Sequence, residues 1–132
     1  MIKIGDKAVL TRSWSRQDVD AFSKISGDNK PIHLDEEFAQ YTRYGKCIVH
    51  GFLVGSLIST IIGTKLPGEG AVYIYQEMRF KNPVFLGEEI LCEVEVIDII
   101  PEKSHIRLKT NCFKQGEQPV IEGTALIKYK IA

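Results

Sequence analysis

The sequence predicts an α+β fold in which one long, buried helix precedes a curved antiparallel β-sheet that wraps it. Three observations carry this expectation. Residues 48–63 form the longest apolar region of the chain, and from Ala71 onward the pattern changes to alternation of apolar and polar side chains. The gaps between the alternating segments are short enough for hairpins.

Taken in order, Ala8 to Thr11 suits a short first strand, and Ser15 with Asp18 makes an approximate capping box for a helix that buries Val19, Phe22 and Ile25. A loop over residues 26–33 comes next. Asp35 is placed to cap a short helix from Glu36 to Tyr41, whose acidic first turn suits the helix dipole and whose Phe38 faces inward. Residues 43–49 read as a second loop. His50 to Gly63 reads as a helix that is apolar nearly all round, the mark of an element surrounded by protein, and Lys65-Leu-Pro-Gly68 ends it.

Beyond the helix, Ile90, Cys92, Val94 and Val96 face one way while Glu89, Glu93 and Glu95 face the other. Ile106, Leu108, Thr110 and Cys112 alternate with Arg107, Lys109 and Asn111, and Ile121, Ala125, Ile127 and Tyr129 alternate with Glu122, Thr124 and Lys128. Turns at 101–104 and 114–118 join these strands, so the sheet is expected to be a meander.

With 132 residues, 44% of them hydrophobic, the chain is expected to form one domain over 1–132 with a real core. Its 17 basic and 17 acidic side chains cancel, which provides no strong basic field for a phosphate backbone. Nucleic acid is therefore not an expected partner. The apolar run is too short to span a bilayer and contains His50, Ser56, Ser59 and Thr60, so no membrane is expected either. The opening Met-Ile-Lys-Ile-Gly-Asp-Lys is unlike a secretory signal, and a cytosolic location is expected. Cys47, Cys92 and Cys112 are odd in number, and two fall at inward strand positions, which points to reduced core thiols. Cys47 and His50, even with Asp28 and His33, lack a second ligand pair, so no metal is expected.

The stretch Ser26-Gly-Asp-Asn-Lys-Pro-Ile-His33 brings a carboxylate and an imidazole together between two backbone breakers. On a helix Asp28 and His33 would point about 140° apart. Gly27 and Pro31 argue instead for a loop that folds both side chains toward one point. A carboxylate and an imidazole around one water can remove and return protons near neutral pH. Each residue also has a purely structural reading. Asp28 suits an Asx-turn, His33 a satisfied loop histidine and His50 a capping or supporting role, and Ser59 suits a bond back to a carbonyl one turn earlier. On the long helix, Gly51, Gly55, Ser59 and Ile62 lie within about 80° of one another, a stripe along which a ligand could lie.

Several of these segments together resemble one family. Ile25-Ser-Gly-Asp28, Pro31-Ile-His33-Leu-Asp35, Phe38-Ala39, Ile48-Val-His50-Gly51, Leu66-Pro-Gly68 and the run from Phe80 to Glu88 are similar to the MaoC-like (R)-specific enoyl-CoA hydratases of the hot-dog fold, including the short-chain enzymes that supply polyester synthesis. The resemblance implies reversible syn addition of water to a short-chain trans-2-enoyl-CoA, giving the (3R)-3-hydroxyacyl-CoA. It implies Asp28 and His33 as the catalytic pair and the Gly51 N–H as the oxyanion donor. Ser59 would belong to the network around the catalytic water and carboxylate, and Ile62 would limit acyl length. No cofactor is implied, because coenzyme A is part of the substrate. The implied assembly is a homodimer whose sheets join edge to edge.

One position departs from the family pattern, which has asparagine directly before the proline. Here that position is Lys30, and Asn29 lies one place earlier. A lysine cation near Asp28 and His33 would favour the carboxylate and disfavour imidazolium, shifting the pH profile.

Three alternatives stand beside the hydratase. A hot-dog acyl-CoA thioesterase often places a carboxylate on or beside the long helix, yet residues 50–65 contain no Asp or Glu. A non-catalytic acyl-thioester-binding module would not need Asp28 with His33. A dehydratase subunit acting on acyl carrier protein would keep the same acyl chemistry.

Overall fold

The computed structural model describes residues 1–130, so the last two positions of the expected domain, Ile131 and Ala132, lie outside the described residues. The first strand, β1 (Lys7–Arg12), leads into α1 (Arg16–Ser26), whose Ser15 cap and Asp18 form the expected capping box. Two single-turn helices follow, α2 (Pro31–Leu34) and α3 (Glu36–Ala39), and then the long α4 (Gly51–Thr64). Strands β2 (Val72–Phe80), β3 (Ile90–Ile100), β4 (His105–Lys114) and β5 (Gln118–Lys128) complete the sheet.

The five strands pair antiparallel in the order β1-β3-β4-β5-β2. Only β3, β4 and β5 form the expected meander. Strand β2 lies at the far edge against β5, and residues 81–89 carry the chain back across the sheet. That crossing is pinned where the Val49 N–H donates to the Val84 carbonyl at 2.7 Å, so it passes beside the start of α4.

Helix α4 packs against β1, β2 and β3. Val54, Leu57, Ile58, Ile61 and Ile62 share one core with Ile90, Cys92, Val94 and Val96 of β3 and with the inward residues of β4 and β5. The alternation read from residues 90–127 is the observed burial pattern. Cys92 lies opposite Cys112, and both are buried and free, as is Cys47. A hydrogen bond with Cys112, with burial, pushes the Cys92 thiol far above the usual thiol range.

Three packing expectations need correction. In α1 the buried residues are Val19 and Ser23, while Ile25 is 87% exposed. Ile25 lies six residues beyond Val19, about 120° away round the helix, and the Ser23 hydroxyl faces His50 instead. In α3 the helix stops after Ala39, which is buried, and Phe38 turns outward. Helix α4 is not surrounded by this chain, because Phe52, Ser56, Ser59, Thr60 and Gly63 stand on an uncovered face.

Candidate active site

The site begins where α1 ends. Gly27 adopts a left-handed conformation (φ 81°) and donates its N–H to the Ser23 carbonyl at 2.9 Å, a turn that suits glycine. The Ser26 hydroxyl then accepts the Asp28 N–H at 3.1 Å. These bonds turn the chain sharply and set the Asp28 carboxylate at the cleft. Pro31 does not keep His33 in a loop as the sequence suggested. It opens α2, because the first helical position needs no N–H donor and already favours the φ that proline fixes. His33 thus sits on a single helical turn, nearly buried, with its backbone carbonyl held by Arg16 Nη1 at 2.8 Å.

The His33 ring is oriented by one bond. Its Nδ1 lies 2.8 Å from the Ile48 carbonyl oxygen, which only accepts, so Nδ1 carries the hydrogen. That leaves a lone pair on Nε2. Asp28 and His33 therefore both present acceptors, and side-chain ligand atoms of Asp28, His33 and His50 come within 4.8 Å of one another. Such a trio resembles a metal site, but His50 Nε2 lies 2.9 Å from the Asp28 carbonyl oxygen and must donate to it. That nitrogen has no lone pair for an ion, and the remaining lone pair of the ring lies on the buried Nδ1.

The charge states are set in the same place. Lys30 Nζ lies 2.7 Å from Asp28 Oδ1, and this contact holds the Asp28 carboxyl below the usual carboxylate range despite some desolvation. Burial pushes the His33 imidazole below its ordinary value; His50 and Lys30 act in the same direction, and the Ile48 bond and Asp28 partly restore it. The free site therefore holds an ionised Asp28 and a neutral His33 at neutral pH. Lys30 stands where the departure from the family pattern placed it, in contact with the carboxylate.

Asp28, His33, Gly51, Phe22, Phe80 and Val84 share one cleft of about 920 Å³. Gly51 is the first residue of α4, so helix geometry leaves its N–H without an intrahelical acceptor. A side chain there would collide with Phe80, whose ring carbons would lie 2.7 Å from an added Cβ.

The other two expected residues lie elsewhere. Ser59 is exposed and lines a shallower depression of about 350 Å³ with Phe52, Gly55, Ser56 and residues of β2. Eight residues along a helix advance about 12 Å, which takes Ser59 beyond the cleft that starts at Gly51. Ile62 is only 2% exposed and belongs to the core, so it bounds neither space. The stripe of small residues lies at the margin of the face covered by the sheet, with Ile62 on the covered side and Ser59 outside it.

Sequence reading understated His50 and missed Ser23 and the Ile48 carbonyl. His50 is buried, stacks on His33 with ring centroids 3.8 Å apart, and lies 3.1 Å from the Ser23 hydroxyl. The available signal was a histidine directly before the glycine that opens the apolar helix, with a lone serine on the buried stripe of α1.

Residues 3–115 match the family of the MaoC like domain. Among curated proteins, the chain is 42% identical over 127 residues to a 3-hydroxybutyryl-CoA dehydratase of Methylorubrum extorquens, covering 96% of this chain and 80% of that protein. It is 40% identical over 127 residues to an (R)-specific enoyl-CoA hydratase of Aeromonas caviae, covering 96% and 95%. The solved structure of an (R)-hydratase from Aeromonas caviae involved in PHA biosynthesis superposes with a TM-score of 0.94 at 40% identity, covering 97% of each chain.

Proposed function

The chain belongs to the MaoC-like domain family, and from that premise we propose that it is an (R)-specific enoyl-CoA hydratase, a hydro-lyase that adds water reversibly to short-chain trans-2-enoyl-CoA to give (3R)-3-hydroxyacyl-CoA. The observation that carries the mechanism is the pair of acceptors, Asp28 carboxylate and His33 Nε2, facing one cleft beside the free N–H of Gly51. A water held there donates one hydrogen to each acceptor and keeps its lone pairs for C3 of the substrate.

As the O–C3 bond forms, one water proton passes to His33 Nε2. The double-bond electrons shift toward C1, and the thioester oxygen gains negative charge opposite the Gly51 N–H. A preorganised donor of this kind contributes roughly 3 kcal/mol to the transition state. The imidazolium, stabilised by Asp28, then returns its proton to C2, and the second water hydrogen remains in the new hydroxyl. Both additions come from one side of the double bond, so the addition is syn. The steps need no metal or cofactor beyond the coenzyme A carried by the substrate, and the reverse sequence is the dehydration. Within one copy of the chain, neither Ser59 nor Ile62 lines the cleft in which these steps are placed.

A homodimer is part of the proposal. Strand β2 has a free outer edge, and Val72, Tyr73, Ile74, Tyr75 and Phe80 are exposed on it near Phe52 of α4. A second copy would cover this apolar surface by a two-fold contact. Light scattering on Ile74→Lys is expected to report a monomer; an unchanged dimer would place the interface elsewhere. No helix among the described residues is long and apolar enough to cross a membrane. The cytosol is the proposed compartment, in keeping with three buried free thiols.

The reaction is tested by the loss of enoyl absorbance from crotonyl-CoA with free thiol monitored in the same cuvette. Hydration without thiol release is expected. Thiol release without hydration would favour a thioesterase, and activity confined to acyl carrier protein substrates would reassign the carrier.

A further inference from the structure

His50 touches every part of the proposed site from the wall of the cleft, with Nε2 bonded to the protein and Nδ1 buried. Its Nε2 donates to the Asp28 carbonyl at 2.9 Å and lies 3.1 Å from the Ser23 hydroxyl. Its ring lies nearly parallel to His33, 22° between planes, and meets Phe22 edge-on. Its backbone is the N-cap of α4, so the next N–H is that of Gly51. The residue is 2% exposed, and its Nδ1 is buried without a hydrogen-bond partner. A buried polar atom left unpaired costs stability, and leucine would fill much of the space without that cost. The packing alone does not explain a histidine here.

We infer that His50 is a positioning residue, a buried brace that fixes Asp28, His33 and the Gly51 N–H relative to one another for the proposed hydration. The Asp28 turn has few restraints of its own. Its N–H bonds to the local Ser26 hydroxyl, and its carboxylate contacts the exposed Lys30. The bond from His50 to the Asp28 carbonyl ties that turn to α4, and the stacked rings set the depth of His33. Ser23 completes the brace from α1. Arg16 and Ile48 hold His33 from its other side, so its ring is clamped while Asp28 depends on His50.

Misplacing a catalytic group by about 1 Å can cost about 100-fold in rate. The inference rests on the hydratase reading, and its test includes a readout independent of turnover. His50→Leu, His50→Phe and His50→Gln are compared with wild type for kcat and KM on crotonyl-CoA and for amide hydrogen exchange in residues 27–30. Phenylalanine keeps a ring against His33 but has no donor, whereas the glutamine amide can donate to the Asp28 carbonyl. The leucine and phenylalanine variants are expected to lose roughly 10- to 100-fold in kcat with KM nearly unchanged, and to exchange faster in that loop. Glutamine is expected to recover most of both.

A folded phenylalanine variant with wild-type kcat and exchange, or a glutamine variant no better than phenylalanine, would overturn the inference. If leucine fails to fold, the phenylalanine and glutamine variants still decide. If wild type does not hydrate crotonyl-CoA, the reaction assignment fails, and loop exchange alone decides the role of His50.

Discussion

Residues 90–128 and residues 26–51 solve different problems with different materials. In β3, β4 and β5 the backbone is satisfied by neighbouring strands, and inward side chains are almost all apolar. In the segment from Ser26 to Gly51, shape depends on particular hydrogen bonds: Ser26 to Asp28, His50 to Asp28, Ile48 to His33 and Arg16 to His33. The sheet spreads its stability over many similar contacts, whereas the shape of the cleft rests on a few particular bonds. Changes in one region should therefore be read as stability, and changes in the other as rate.

The largest effect expected from this contrast is catalytic. Asp28→Asn and His33→Ala should each lower kcat by about 10²- to 10⁴-fold, the usual contribution of a general acid or base, with thermal melting close to wild type. A mutant that melts normally and turns over at the wild-type rate would remove that residue from the mechanism.

Lys114 links the two regions. Its side chain is 5% exposed at the end of β4, and its ammonium donates to the Pro83 carbonyl and lies 3.1 Å from Glu88, while the adjoining Val84 and Pro83 line the cleft. Lys114→Met would leave the Glu88 charge without its cation and is expected to cost about 3 kcal/mol in chemical denaturation. Normal stability in that variant would show that the crossing segment is held by its other contacts.

Gly123→Ala probes the sheet alone, since an added Cβ would run into the Glu77 carbonyl of β2. Forcing the strands apart should cost about 2 kcal/mol while leaving the kcat of folded protein unchanged. A kcat loss without a stability loss would contradict the division between the regions.

The smallest effect concerns Lys30. The proposed mechanism needs Asp28 ionised and His33 neutral, and the lysine charge favours both conditions. Lys30→Met or Lys30→Asn raises both pKa values, so activity should begin to fall at a higher pH on the acid side. The Lys30 side chain is 63% exposed, and solvent screening should keep the shift small and reduce it further in high salt. Identical acid limbs in wild type and variants would reject the coupling.

How much was legible follows the same division. Alternation along Ile90–Ile100, His105–Lys114 and Gln118–Lys128 reveals which face is buried, because a strand exposes its pattern at every second residue. Strand order was not legible, since the placement of β2 beside β5 depends on where residues 81–89 are tied down in space. At the cleft, the placing of Asp28, His33 and Gly51 together was readable because the loop breakers and the helix start are local signals. His50, Ser23 and the Ile48 carbonyl gain their roles by contact across 15 to 27 residues of sequence, which periodicity does not encode. Ser59 and Ile62 shared a stripe on a helical wheel, but the wheel omits axial distance and the edge of the covering sheet.

In the proposed reaction one water, held between Asp28 and His33, supplies both the hydroxyl and the new C2 proton from the same side. Hydration of crotonyl-CoA in deuterium oxide, followed by NMR and chiral analysis of the 3-hydroxybutyryl product, tests it directly. The expected result is the (3R) product with one deuterium at C2, added syn to the hydroxyl. An anti product, a (3S) product or free coenzyme A without hydration would contradict it.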